Sequence, residues 1–190
     1  MILSSGKSLV LLDYNQNCVV KTFSFDKGNE HEIVKDIDSK RIIKILNVKY
    51  SPYVIHYEII TPITRNINNI QKLVRDIALS LLDIHKKGYA HGDVYNGNIG
   101  INNEGDYILF DFEFCKKTND PYDYYRDIEM FLTDYGHYEY INNLLKTLRN
   151  RYIIIEDQMI SFLGKERKRT KIYCNYEIYD FINTIKEELF

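Results

Sequence analysis

The strongest constraint on this 190-residue chain is a helix, a polar loop and a hairpin in direct succession. Between residues 71 and 87, Leu73, Ile77, Leu81 and Ile84 recur at steps of three or four, with Val74, Ala78 and Leu82 alongside. That spacing predicts an amphipathic helix with one broad apolar face. Gly88, after two lysines, is a helix stop. The polar run 91–98 follows, then two short apolar arms, 99–102 and 107–110, around the turn Asn103-Glu104-Gly105-Asp106. The arms read as a β-hairpin, so the polar run is a loop between a helix and a hairpin.

Upstream the chain is strand-rich. The apolar run 9–12, the turn-rich 13–17 and the β-branched run 18–23 predict two strands. Asn29 can cap a helix over 30–38. Residues 42–48 and 53–60 predict two more strands around a turn at 49–52. The polar stretch 61–69 reads as a connection. Downstream of residue 124, helices are expected at 125–134, 138–149 and 176–189.

Composition narrows the function classes. Hydrophobic residues make up 45% and charged residues 27%, with a net charge of −2. A disordered chain needs less of the first and more net charge, and a basic field over the whole surface is not expected. Apolar runs fall short of a membrane span, and the start MILSSGKS does not read as a secretory signal. Cys18, Cys115 and Cys174 show neither metal spacing nor a disulfide framework, so a reducing, cytoplasmic setting is expected.

The chemistry-bearing segment is His91-Gly92-Asp93-Val94-Tyr95-Asn96-Gly97-Asn98, with Asp111-Phe112-Glu113 at the end of the hairpin. Phosphoryl transfer from ATP needs a carboxylate beside the attacking hydroxyl and oxygen ligands that hold Mg²⁺ on the phosphates. Asp93 can be the first, and Asn98 and Asp111 the second. Taken singly, Asp and Asn are common turn residues. Their order around a helix and a hairpin is what separates them from turn chemistry.

In this order the chain resembles the protein-kinase superfamily, whose catalytic loop reads H-R-D-x-x-x-x-N and whose metal loop reads D-F-G. The resemblance runs without gaps from Gly88 to Phe112. Val19-Val20-Lys21 is similar to the strand motif V-A-I-K. The stretch 30–44, EHEIVKDIDSKRIIK, is similar to the helix and strand that follow it. Periodicity selects the carboxylate: Glu30 shares a helical face with Ile33, Val34 and Ile37, whereas Glu32 shares its face with Lys35 and Asp36. An inward carboxylate must meet a cation, and Lys21 is the candidate. The resemblance implies that Lys21 meets the nucleotide phosphates. It implies that backbone groups of Glu58 and Ile60 bind the adenine edge, and that Asp127, opening a helix, braces the catalytic loop.

Departures from the family pattern are as specific. Only Ser4-Ser5-Gly6-Lys7-Ser8 is available as a phosphate lid, with Ser5, Gly6 and Ser8 offering N–H groups. A Walker loop is excluded because it requires glycine where Met1 stands. Gly92 replaces the arginine that receives a phosphorylated activation loop. Tyr95 replaces a phosphate-contacting lysine, and Glu113 the glycine of D-F-G. Gly100 stands where a large apolar residue usually lies under adenine. The span 111–127 must hold the whole activation segment and has no A-P-E, which implies little platform for an extended peptide.

The expected architecture is α+β: a two-lobed protein-kinase-like fold in one domain, with an antiparallel-sheet lobe with one helix at 1–60, a linker at 61–69 and a shortened, mainly helical lobe at 70–190. The expected activity is that of a minimal atypical Ser/Thr protein kinase using ATP and Mg²⁺ on a protein hydroxyl. The compact RIO type and the kinase of the KEOPS complex are similar in size. One alternative acceptor is a small molecule or glycan, since the motifs also resemble aminoglycoside and choline phosphotransferases. A third reading is a pseudokinase scaffold. The basic run 164–171 reads as a solvated loop or as a patch for an acidic partner or RNA.

Overall fold

The computed structural model describes residues 2–5, 8–23, 29–63, 67, 69–139, 141–142, 153–162 and 165–173. The chain is α+β. Strands β1 (Ile2–Ser5), β2 (Ser8–Asp13), β3 (Cys18–Phe23), β4 (Ile45–Tyr50) and β5 (Tyr53–Tyr57) form one antiparallel sheet in the order β1-β2-β3-β5-β4. Helix α1 (Glu30–Ile37) lies between β3 and β4 in the chain and ends where Asp38 turns left-handed, at φ 49°. The strand expected from residue 42 starts only at Ile45, because Ile42 instead bridges Leu109 of the later hairpin. The next strand stops at Tyr57, short of the expected residue 60.

Helix α2 (Ile70–Lys86) is capped by the Asn69 side chain, which accepts from Lys72 N–H at 2.9 Å. Its apolar face, Leu73, Val74, Ile77, Leu81 and Ile84, is fully buried. The hairpin arms are β8 (Ile99–Ile101) and β9 (Tyr107–Leu109), and β6 (Thr61–Pro62) adds a third strand beside β8. The stretch expected as a plain connection thus supplies an edge strand, where the missing N–H of Pro62 is harmless. Short strands β7 (Tyr89–Ala90) and β10 (Lys116–Lys117) pair, flanking the chemistry-bearing loops.

Helix α3 (Pro121–Asp134) begins a turn earlier than expected from periodicity. Asp120 accepts from Tyr122 N–H and Pro121 stands at the first position, a local start signal that outranks the apolar spacing. Asp127 therefore sits inside α3, not at its start. A single core joins these elements: Ile55 and Ile37 above, Ile77, Leu81 and Ile99 in the middle, Ile128 and Phe131 below.

The expected helix 176–189, and 138–149 apart from its first residues, lie outside the described residues. Between them the chain forms a hairpin, β11 (Ile153–Phe162) with β12 (Lys165–Tyr173), so this part is not mainly helical. The basic run read as a solvated loop is the strand β12.

Candidate functional site

Lys21 stands at the centre of β3, paired with Val10 on one side and Ile55 on the other. Its Nζ meets Glu30 Oε2 at 2.9 Å and Asp111 Oδ1 at 2.7 Å. The Lys21 side chain is 8% exposed and that of Glu30 3%, while Asp111 is 34% exposed, so the cluster opens toward solvent at Asp111. Burial disfavours the ammonium, but the two carboxylates outweigh it and raise the Lys21 pKa above the usual lysine value. The second Glu30 oxygen accepts from Phe112 N–H at 3.2 Å. One buried carboxylate therefore fixes both the cation and the backbone beside Asp111. Glu32 is exposed and takes no part.

Asp111 adopts φ 64°, ψ 75°, a left-handed conformation that is uncommon outside glycine. A strained backbone at a carboxylate on an ion cluster points to a functional constraint on that residue. The turn Phe112–Phe114 follows at once, and Phe112 is buried against the ring of His91 at 4.7 Å between centroids.

The loop 91–98 is held by a buried acceptor. Asp127, 0% exposed, accepts the N–H of His91 and the N–H of Gly92 at 2.8 Å each. His85 Nε2 lies 2.9 Å from the same carboxylate. The His91 ring has one geometry-consistent tautomer: Nε2–H donates to the Phe110 carbonyl at 3.2 Å and Nδ1 accepts from Asp93 N–H at 3.3 Å. Full burial pushes the His91 pKa down, with Asp127 opposing. Asn98 uses its amide twice on Asp93, donating to the backbone carbonyl and to Oδ2 at 2.9 Å each. That leaves the Asn98 carbonyl oxygen as the atom able to ligate a cation.

Among the described residues no cluster of three His, Cys, Asp or Glu forms a protein-only metal cage. The Asn98 oxygen and the Asp111 carboxylate are of the donor type that another arrangement uses. Mg²⁺ is commonly bound by one or two protein oxygens, with substrate phosphates and water completing its shell. Glu58 is pinned to Lys44 twice, through its N–H at 3.0 Å and its Oε1 at 2.8 Å, so its backbone carbonyl remains for other partners. Gly6 lies outside the described residues; Ser5 and Ser8 face each other at the ends of β1 and β2.

The two glycines at the departures, and Gly97 beside them, have steric reasons. Gly92 has φ +80°, and a Cβ there would lie 2.8 Å from the Phe114 carbonyl oxygen. An arginine cannot occupy this position without moving backbone. At Gly100 a Cβ would lie 2.9 Å from Ile60 Cδ1, so Ile60 fills the volume that a larger residue would take. At Gly97 the Tyr95 ring lies 2.4 Å from where a Cβ would be. Tyr95, half-exposed, has its phenol pKa raised by burial and then by Asp93 and Asp111.

Two participants escaped sequence reasoning. Tyr57 is buried beside Glu30, and burial, then the Glu30 charge, drive its phenol pKa well up. The signal was its place at the end of a five-residue buried strand. His85 stands on α2, where nothing in the spacing singles it out, and its ring meets Asp127. No protein-family model and no curated protein matches this chain.

Proposed function

We propose that the chain is an ATP- and Mg²⁺-dependent phosphotransferase with a compact, two-lobed protein-kinase-like architecture, acting on a hydroxyl. The observation that carries this reading is the cluster Lys21–Glu30–Asp111, assembled from a strand, a helix and a loop up to 90 residues apart. A cation kept charged by one buried carboxylate, with a second carboxylate at the solvent edge, suits a polyphosphate: the first attracts it and the second awaits its metal.

In this reading Lys21 binds the α- and β-phosphates, and Glu30 keeps it from swinging away. Mg²⁺, held by Asp111 and the Asn98 oxygen, supplies positive charge against the charge that develops on the transferring group. The Glu58 carbonyl and Ile60 N–H receive the adenine edge, with Ile60 itself lying over Gly100. Asp93 orients the acceptor hydroxyl and takes its proton. Asn98 sets the rotamer of Asp93, and Asp127 sets the loop that carries both. The expected acceptor is a Ser or Thr of a protein docked outside the site. Transfer of the labelled γ-phosphoryl group of ATP to protein acceptors, with ADP as the leaving product, tests this. Wild-type protein that binds ATP and transfers to no acceptor, itself included, would leave the scaffold reading in its place.

The alternative acceptor, a small molecule or glycan, draws on the segment after Asp111. Thr118 is tied down three ways: its N–H to Gly88 O, its carbonyl to Tyr124 Oη, and its hydroxyl to Asp123. Helix α3 then starts at Pro121. A segment so short and so held offers little edge for an extended peptide. A small-molecule panel in the same assay separates the two acceptors.

A further inference from the structure

We propose that His31 is a positioning residue for the ion cluster: by bonding the hydroxyls of Tyr53 and Tyr50 it clamps the first turn of α1 to the β4–β5 hairpin and so keeps Glu30 on Lys21. What the clamp does for a nucleotide rests on the phosphotransfer reading; the clamp itself does not.

The need for a clamp follows from the helix. Helix α1 has eight residues, and the Asn29 side chain makes no capping bond at its start. An uncapped first turn is weakly held, because its N–H groups have no partners inside the helix. The other end is secured. Val34 and Ile37 are buried in the core, and Asp36 accepts from the Tyr89 hydroxyl at 2.8 Å. Yet Glu30, whose carboxylate lies 2.9 Å from Lys21 Nζ, is the first residue of the helix. Holding a carboxylate in place on the weakest turn of a short helix takes a tie from outside that helix.

His31 supplies the tie. It follows Glu30 directly, so the two side chains leave the helix about 100° apart. Glu30 meets Lys21, and His31 meets the β4–β5 hairpin. Both are buried, at 3% and 6% exposure. His31 Nδ1 lies 2.5 Å from Tyr53 Oη, and Nε2 lies 3.2 Å from Tyr50 Oη. Tyr50 and Tyr53 are paired across the hairpin, and each ring centroid is 5.6 Å from that of His31. Burial, then the Glu30 charge, push the Tyr53 phenol up to about 12, with the His31 backbone N–H opposing. Tyr53 therefore keeps its proton and donates it to Nδ1 of the neutral ring, and Nε2–H donates to Tyr50 Oη. Phe23 connects the clamp to the ion cluster: its ring centroid is 5.1 Å from that of Tyr53 and 5.1 Å from Lys21 Nζ.

Acetylation of the intact chain by a water-soluble ester, read residue by residue by mass spectrometry, reports the position of α1 without any nucleotide. Lys21 is buried under its two carboxylates and should react slowly in wild type. His31→Phe keeps the ring volume and removes both hydrogen bonds. It should raise the Lys21 rate about tenfold, the effect of losing a buried hydrogen bond on a local opening, and leave the exposed Lys87 within about twofold. Tyr53→Phe should act in the same direction, and the double variant no further than His31→Phe alone, as expected of one unit. His31→Asn, whose amide oxygen stands near the place of Nδ1, should restore protection to within about threefold. ATP affinity by calorimetry should fall in His31→Phe by a factor similar to the gain in labelling. Should His31→Phe fail to fold by circular dichroism, Tyr53→Phe decides, since it removes one hydroxyl only. Equal Lys21 rates in the variants and wild type, well below their melting temperatures, overturn the proposal even where those temperatures fall. Raised Lys21 labelling in a chain whose wild type binds no ATP would sink the phosphotransfer reading and leave the clamp standing.

Discussion

Lys21 Nζ lies 2.7 Å from Asp111 Oδ1, across 90 residues of chain, while its other carboxylate partner, Glu30, is nine residues away. The nearer contact joins a strand to the helix that follows it. The farther one joins the first sheet to the loop beyond the hairpin. Removing the cation would leave two carboxylates together, one of them buried, and breaking such a cluster from one side costs about 3–5 kcal/mol. Lys21→Met should lower the melting temperature and abolish detectable ATP binding by calorimetry. Because the folded-state pKa of Lys21 is raised, its contribution is fully present below about pH 10.5 and is lost as pH rises through the folded value. Wild-type protein should therefore lose stability more steeply above that pH than Lys21→Met; parallel alkaline melting curves would refute the assignment.

His91 predicts the opposite pH dependence. Its folded pKa is lowered, so the neutral ring is favoured in the native state and stability falls as pH drops below 6.5. Each pH unit of that range costs about 1.4 kcal/mol until the folded pKa is reached. Thermal melts between about pH 7 and 5 should show this slope in wild type, and a His91→Gln protein, less stable at neutrality, should show less of it.

Asp93 separates chemistry from binding. Asp93→Asn keeps a side chain that Asn98 can bond and leaves the Lys21 cluster untouched. ATP affinity should stay within a few-fold while phosphoryl transfer drops by about 10²-fold or more. Equal loss of both would show that Asp93 acts on the nucleotide and not on the acceptor.

Gly92 and Thr118 bear on control by phosphorylation. Gly92→Arg combines a positive φ with a 2.8 Å approach to the Phe114 carbonyl and should cost about 1–3 kcal/mol or more, without creating a phosphate receptor. A phosphate on Thr118 would meet Asp123, which its hydroxyl now contacts at 2.7 Å, so repulsion is expected. Thr118→Ala should retain transfer activity. Activity lost in Thr118→Ala and restored in Thr118→Glu would contradict this.

Asp127 tests the support of the loop. Asp127→Asn leaves one of two N–H donors, His91 or Gly92, facing an amide that cannot accept at both positions. The buried loss should be about 1–3 kcal/mol, and transfer should fall more than ATP affinity, because the loop carries Asp93. Unchanged kinetics in a stably folded variant would show that the loop holds its shape without this carboxylate.

What was legible in the sequence was local. The period of α2, the arms of the 99–109 hairpin and the inward choice of Glu30 over Glu32 all follow from spacing along a single element, where geometry fixes which residues share a face. The start of α3 was equally local, in Asp120-Pro121, but the apolar spacing drew attention a turn too far along. What only the tertiary structure decided was which distant groups meet. Residue order carries no distance, so Lys21 against Asp111, and His85 with the loop amides on Asp127, become visible only when packing closes the chain. The same holds for Gly92 and Gly100, whose lack of a side chain answers to Phe114 and Ile60 from other segments.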